Sequence, residues 1–106
     1  MSVIELREYR VFPGKFDAWT AWMKNELLPH MQDKGMKILQ TTSYVDEDGE
    51  QWFIWLREFE SEEHRQALYK ETYNEWWVQE VRPKVFEHIE QDSMRVRVLE
   101  SMTLVE

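Results

Sequence analysis

No cysteine occurs in the chain, which removes disulfides, thiolate nucleophiles, iron–sulfur clusters and cysteine-ligated zinc from consideration. Glycine is scarce too. Gly14, Gly35 and Gly49 stand far apart, so no glycine-rich loop is available to cradle a phosphate, and no Gly-x-Ser-x-Gly elbow occurs. Positive charge is short: 13 Lys and Arg face 21 Asp and Glu, for a net charge of -8. Such a surface repels phosphate backbones and anionic lipid heads, so neither nucleic acid nor a membrane is an expected partner. Long hydrophobic runs are also missing, and Met1-Ser2-Val3-Ile4-Glu5 already carries charge. Neither a signal peptide nor a membrane-spanning helix is expected, and the location expected is cytoplasmic.

Aromatic residues, by contrast, are plentiful. Six Trp, five Phe and four Tyr among 106 residues supply enough apolar area for one packed core, and the length suits a single domain over 1–106. Residues 3–12 alternate, with Val3, Glu5, Arg7, Tyr9 and Val11 on one face and Ile4, Leu6, Glu8, Arg10 and Phe12 on the other, which predicts a strand. Over 15–34 the period becomes helical: Phe16, Trp19, Met23, Leu27 and His30 fall in one stripe, Pro29 predicts a kink near 26–29, and Gly35 is placed as a C-cap. Strands are predicted over 36–45 and 51–59, joined by a turn at 46–49 that ends in Gly49. Ser61 caps a helix to about 73, and a second helix bent at Pro83 runs over 75–91 with Val78, Val81, Val85 and Ile89 as its stripe. Residues 93–105 alternate again as a final strand.

The order β-α-β-β-α(α)-β predicts an α+β, ferredoxin-like split βαβ fold: a four-stranded antiparallel sheet with helices on one face. The third strand is apolar on both faces, with Phe53, Trp55 and Phe59 opposing Trp52, Ile54 and Leu56. A sheet face left to water reads polar, so a cover is required. A second copy of the chain, sheet against sheet, is the simplest one, and a homodimer is expected.

Glu5-Leu6-Arg7-x-Tyr9 followed by Pro13-Gly14-Lys15, Phe59-Glu60-Ser61 with Arg65, and Val81-Arg82-Pro83 occur in the order seen in the NIPSNAP family, which the chain resembles over nearly its whole length. The resemblance implies a dimeric α/β barrel, within a superfamily that includes cofactor-free monooxygenases, haem-degrading enzymes, isomerases and cyclases. Asn74-Glu75-Trp76-Trp77 resembles the family's Asp-Pro-x-Trp segment but stands closer to Arg82 than the family spacing. Arg7 falls where haem-degrading relatives carry Asn, so haem degradation is not implied. The mitochondrial link of the animal members does not carry over, because no transit peptide is apparent.

His30, His64 and His88 are far apart, no His-x-x-x-His pair occurs, and no metal or other cofactor is expected. The resemblance puts Glu5, Arg7, Tyr9 and Phe53, Trp55, Arg57, Phe59 beneath the helices. There Arg7, Tyr9, Trp19, His30, Trp55 and Arg57 are the candidate ligand-binding residues of a pocket for a small aromatic or apolar molecule. Among them Arg7 and Arg57 could hold an oxyanion or polarise a carbonyl, and Tyr9 or His30 could move a proton. Two functions follow: a homodimeric binding module, or a cofactor-independent enzyme (monooxygenase-, isomerase- or cyclase-like) acting on a small aromatic or polyketide-like substrate. The plainer alternative is that both arginines pair with Glu5 or helix acids and that the aromatics are core.

Overall fold

The structure, a computed structural model, describes residues 2–105. Its four strands are β1 (Val3–Val11), β2 (Lys37–Val45), β3 (Gln51–Phe59) and β4 (Arg95–Glu100), and they form one antiparallel sheet in the order β2-β3-β1-β4. This is the ferredoxin-like arrangement. The register sets Glu5 opposite Arg57, Arg7 opposite Trp55 and Tyr9 opposite Phe53. Because side chains alternate along a strand, these six project to one face, and the helices cover that face.

The first helical segment runs through α1 (Phe16–Trp22), a π-helical stretch (Met23–Leu27) and α2 (Leu28–Asp33). After β3 comes α3 (Glu62–Thr72), then a second π-helical stretch (Trp77–Val81) leading into α4 (Arg82–His88). Each π stretch ends two residues before a proline, Pro29 in one case and Pro83 in the other. The cause is common to both. A proline has no N–H to donate and its ring collides with the carbonyl four residues back, so the preceding turn widens to i→i+5 bonding.

That widening decides which residues face the sheet. In a straight α-helix each step of four residues over-rotates by about 40°, and Trp19, Met23, Leu27 and Met31 would drift off a common face. The wider π turn rotates less per residue and cancels the drift, so these four are all buried. The stripe therefore ends in Met31. His30, expected on it, is turned into a neighbouring groove against Trp77.

Local signals explain the ends of the elements. Gly35 closes α2 with φ of 98°, and Gly49 closes the hairpin with φ of 81°, conformations open to glycine. Ser61 caps α3, its Oγ accepting from the His64 N–H at 3.0 Å. Two expected boundaries are corrected. The helix over 75–91 stops at His88, because the chain there finds better backbone partners on β1: Phe12 N–H donates to the His88 carbonyl at 2.8 Å, Glu90 N–H to that of Arg10 at 2.9 Å, and Ile89 is extended and fully buried. The final strand ends at Glu100, which pairs with Val3 at the start of β1. Beyond it, among the described residues, the only backbone hydrogen bond runs from the Ser101 N–H to the Ser2 carbonyl, and Met102 and Leu104 are exposed.

Candidate functional site

Beneath α3 the sheet carries a group of charges that the surrounding apolar residues exclude from water. Glu5 and Arg57 are both fully buried, and Arg57 Nε and Nη2 donate to Glu5 Oε1 at 3.1 and 2.5 Å. Arg7 Nη1 donates to the same oxygen at 3.1 Å, and Arg65 Nε to Oε2 at 2.9 Å. The Tyr69 hydroxyl donates to Oε2 and accepts from Arg7 Nη1 and Arg57 Nη2. One carboxylate thus answers three guanidiniums. Arg65 has a second acid in Glu62, at 2.9 Å, which leaves Glu5 shared between Arg7 and Arg57.

The electrostatics follow from this crowding. Burial acts to raise the pKa of Glu5, but the charges of Arg57 and Arg7, with hydrogen bonds from Tyr69 and Arg57, lower it from 4.5 to about 2. Burial pushes the hydroxyls of Tyr69 and Tyr73 up, so at neutral pH both are protonated donors. Burial also opposes the charge on Arg7, yet Tyr9, Tyr73, Tyr69 and Glu5 around it raise its pKa, and it stays cationic.

Arg7 joins this cluster to a cavity of about 490 Å³ between sheet and helices. The floor is Arg7, Tyr9 and Trp55. One wall is the buried stripe of Trp19, Met23, Leu27 and Met31, and the other is Tyr69, Tyr73 and Trp77, with Arg82, Val85 and Phe86 beyond. The Tyr9 hydroxyl accepts from Arg7 Nε at 2.5 Å and from Trp55 Nε1 at 3.1 Å. Trp19 stands edge-on to Tyr9 and Phe53, with ring centroids 6.1 and 5.7 Å apart.

Of the six residues expected to meet in one pocket, Arg7, Tyr9, Trp19 and Trp55 line this cavity and two do not. Arg57 lies behind the floor, locked to Glu5 and donating to the Tyr73 hydroxyl at 2.7 Å. His30 is in a separate groove, stacked on Trp77 at 5.7 Å beside Trp22 and Trp76, because the π turn rotates it away. Among the lining residues that the sequence reading did not propose are Tyr69, Tyr73 and Trp77. The first two had a visible signal, since Arg65, Tyr69 and Tyr73 recur at i, i+4 and i+8 and so share a helix face. Trp77 had none, because its inward aim depends on the second π turn. Among the described residues no three His, Asp or Glu side chains gather as metal ligands would, and no helix is long and apolar enough to cross a membrane.

No family model matches the chain, and no curated protein matches it. Solved structures do match in fold. An uncharacterized NIPSNAP-like domain protein from Burkholderia xenovorans superposes with a TM-score of 0.81, covering 99% of this chain and 89% of that one at 16% identity. A NIPSNAP family protein from Agrobacterium tumefaciens gives 0.73, with 98% and 96% covered at 18% identity. The de novo designed protein Foldit4 also superposes, at 0.60 and 12% identity over 96% of this chain. The fold is that of solved NIPSNAP proteins.

Acid should reach the cluster through Glu5. Its folded pKa lies below the ordinary value, so on acidification the unfolded chain takes up the proton first. Its contribution is complete above about pH 4.5 and is lost as pH falls toward 2. Urea unfolding at steps across that window should show a stability slope that Glu5→Gln flattens; an unchanged slope would refute the assignment.

The two arginines should also differ. Arg57→Met leaves Glu5 short of its deepest partner and should destabilise by roughly 3–5 kcal/mol. Arg7→Met strands no acid, relieves repulsion with Arg57, and should change stability by no more than about 1.5 kcal/mol. Urea midpoints at constant m-value measure both; equal losses would mean that Arg7 is scaffold.

Proposed function

We propose that this chain acts as a sheet-to-sheet homodimer that binds a small aromatic or apolar molecule in the cavity between helices and sheet. One observation carries the binding reading: an aromatic cavity of about 490 Å³ with a charged side chain, Arg7, in its floor. That volume lies within the roughly 300–1,000 Å³ common to small-molecule sites, and the lining is of their kind, apolar with a few converging polar groups. The seven flat aromatic side chains among its lining, Tyr9, Trp19, Trp55, Tyr69, Tyr73, Trp77 and Phe86, favour a planar occupant.

The enzyme reading asks for a group that exchanges protons near neutral pH. Burial pushes the Tyr69 and Tyr73 hydroxyls the wrong way for a base, and His30 faces another groove. Binding is therefore the reading preferred.

The dimer is supported by the uncovered side of the sheet. Ile4, Leu6, Ile54 and Leu56 are half-buried there in the single chain, and Leu99 is exposed beside Ile4. Part of this face is covered from within. Trp52 donates to Asp46 Oδ2 at 2.8 Å, stacks on Tyr44 at 6.4 Å and lies under the Arg95 guanidinium at 5.7 Å. The remaining apolar area is what a second sheet would bury.

Light scattering at micromolar concentration should give twice the chain mass. Leu56→Glu should give a monomer or an unfolded chain, because the interface would bury an unpaired charge. It is a cleaner test than Trp52→Glu, which also removes the contacts to Asp46 and Tyr44. A folded wild-type monomer at that concentration ends the dimer proposal.

For the cavity, a thermal-shift screen of planar aromatic molecules, neutral and charged, should return compounds that raise the wild-type melting temperature. The rise should vanish in Val78→Trp, where a larger ring at the cavity's exposed rim fills the space. Hits that persist in that variant would place binding elsewhere.

A further inference from the structure

The polar groups of the residues that line the cavity can be sorted by what each still has to give. Arg7 commits Nε to Tyr9 and Nη1 to Glu5 and Tyr69, and among the described residues its Nη2 has no partner. The Tyr9 oxygen already accepts twice, from Arg7 and Trp55, so its valence is filled except for its own hydrogen, which has no acceptor among the described residues. The Tyr73 hydroxyl accepts from Arg57, and its hydrogen is likewise unplaced. Trp19, only 1% exposed, has an indole Nε1 that is buried and finds no acceptor. Tyr69 is saturated, one donation and two acceptances, and offers nothing more.

What remains is four donors and no committed acceptor to receive them. An indole N–H buried without a partner is uncommon and costs free energy unless something satisfies it. The charges lean the same way. Although the chain carries 21 Asp and Glu against 13 Lys and Arg, among the described residues no carboxylate lines the cavity while Arg7 and Arg82 do. Behind its floor Glu5 is divided between two guanidiniums, which leaves the cluster one positive charge in surplus.

We infer that the cavity takes an anion: a planar aromatic carboxylate or enolate whose charged oxygens meet Arg7, Tyr9 and Tyr73, and which bears a second acceptor, such as a carbonyl, for the Trp19 N–H. This rests on the cavity being the binding site and names the chemical class that the site selects. A cationic amine would face Arg7 with no acid to pair with it. A neutral amide would bring donors to a place already full of them.

The test uses three probes of one shape on the wild-type protein: 2-naphthoate, 2-naphthamide and 2-naphthylmethylammonium, by calorimetric titration. The anion should bind at least about tenfold more tightly than the amide, the difference of a charge-assisted hydrogen bond, and the ammonium should not bind detectably. Arg7→Met should erase that preference. A series of acetyl-substituted naphthoates then locates the second acceptor. At least one should gain about tenfold over 2-naphthoate, and Trp19→Phe, checked for folding by circular dichroism, should remove that gain while still binding 2-naphthoate. Equal binding of all three probes would overturn the anion selectivity and leave the cavity's binding role standing. An anion preference with no acetyl gain, or a gain untouched by Trp19→Phe, would overturn the part given to Trp19. Binding by none of the probes would overturn the binding role itself, and the selectivity with it.

Discussion

The fold's interior depends on one carboxylate. Glu5 is the acid that Arg7, Arg57 and Arg65 all reach, and it lies on β1 directly across from Arg57 on β3. Without it three guanidiniums would be held together in a region of low dielectric, where repulsion between like charges is poorly screened. With it, two sheet strands and α3 are tied at a single point, since Arg65 and Tyr69 come from the helix. Ion pairs of this kind are weak evidence for net stability, because desolvation offsets much of the attraction. What they confer is a defined geometry: Glu5 and the Tyr69 hydroxyl hold the three guanidiniums at fixed positions, and α3 can settle over the sheet in one register.

A second constraint acts through the prolines. Pro29 and Pro83 each impose a π turn at the same offset, and the two widened turns supply facing walls of the cavity, Met23 and Leu27 from one, Trp77 and Val78 from the other. Such turns are frequent at functional sites, and here the reason is geometric. A straight helix would drift its large side chains around the axis, whereas the π turn keeps Trp19, Met23, Leu27 and Met31 in one column and holds a flat apolar surface above the sheet. The same rotation moves His30 out to the neighbouring groove against Trp76 and Trp77.

This marks the boundary of what the sequence makes legible. Strand alternation is a period-two signal with little room for error, so the faces of β1 and β3, and with them Glu5, Arg7, Tyr9, Trp55 and Arg57, could be read directly. The positions of Gly35, Gly49 and Ser61 are equally plain, since each answers a backbone requirement that few residues meet. The bend at Pro29 could be read, but not its form; a kink and a π turn begin from the same missing N–H and send the next residues to different sides. His30 and Trp77 were misjudged or missed for that reason. The end of the last helix was illegible on other grounds, because Ile89 fits the helical stripe and is withdrawn from it by backbone pairing with β1, a contact between residues far apart in sequence.

Fold likeness cannot decide the chemistry. A designed protein shares this architecture as well as the NIPSNAP structures do in kind, if not in degree, and function resides in the side chains placed on the scaffold. Those side chains oppose the character of the whole molecule. A chain of net charge -8 would attract cations at long range, yet among the described residues its cavity is lined by arginines and donors and no carboxylate. At physiological salt the exterior field decays within about 8 Å, so the acidic surface does little to a ligand already inside. The buried cluster is not screened in that way. Its surplus charge acts on the cavity at close range and low dielectric, and it is there, through Arg7, that the proposed selectivity for an anion would arise.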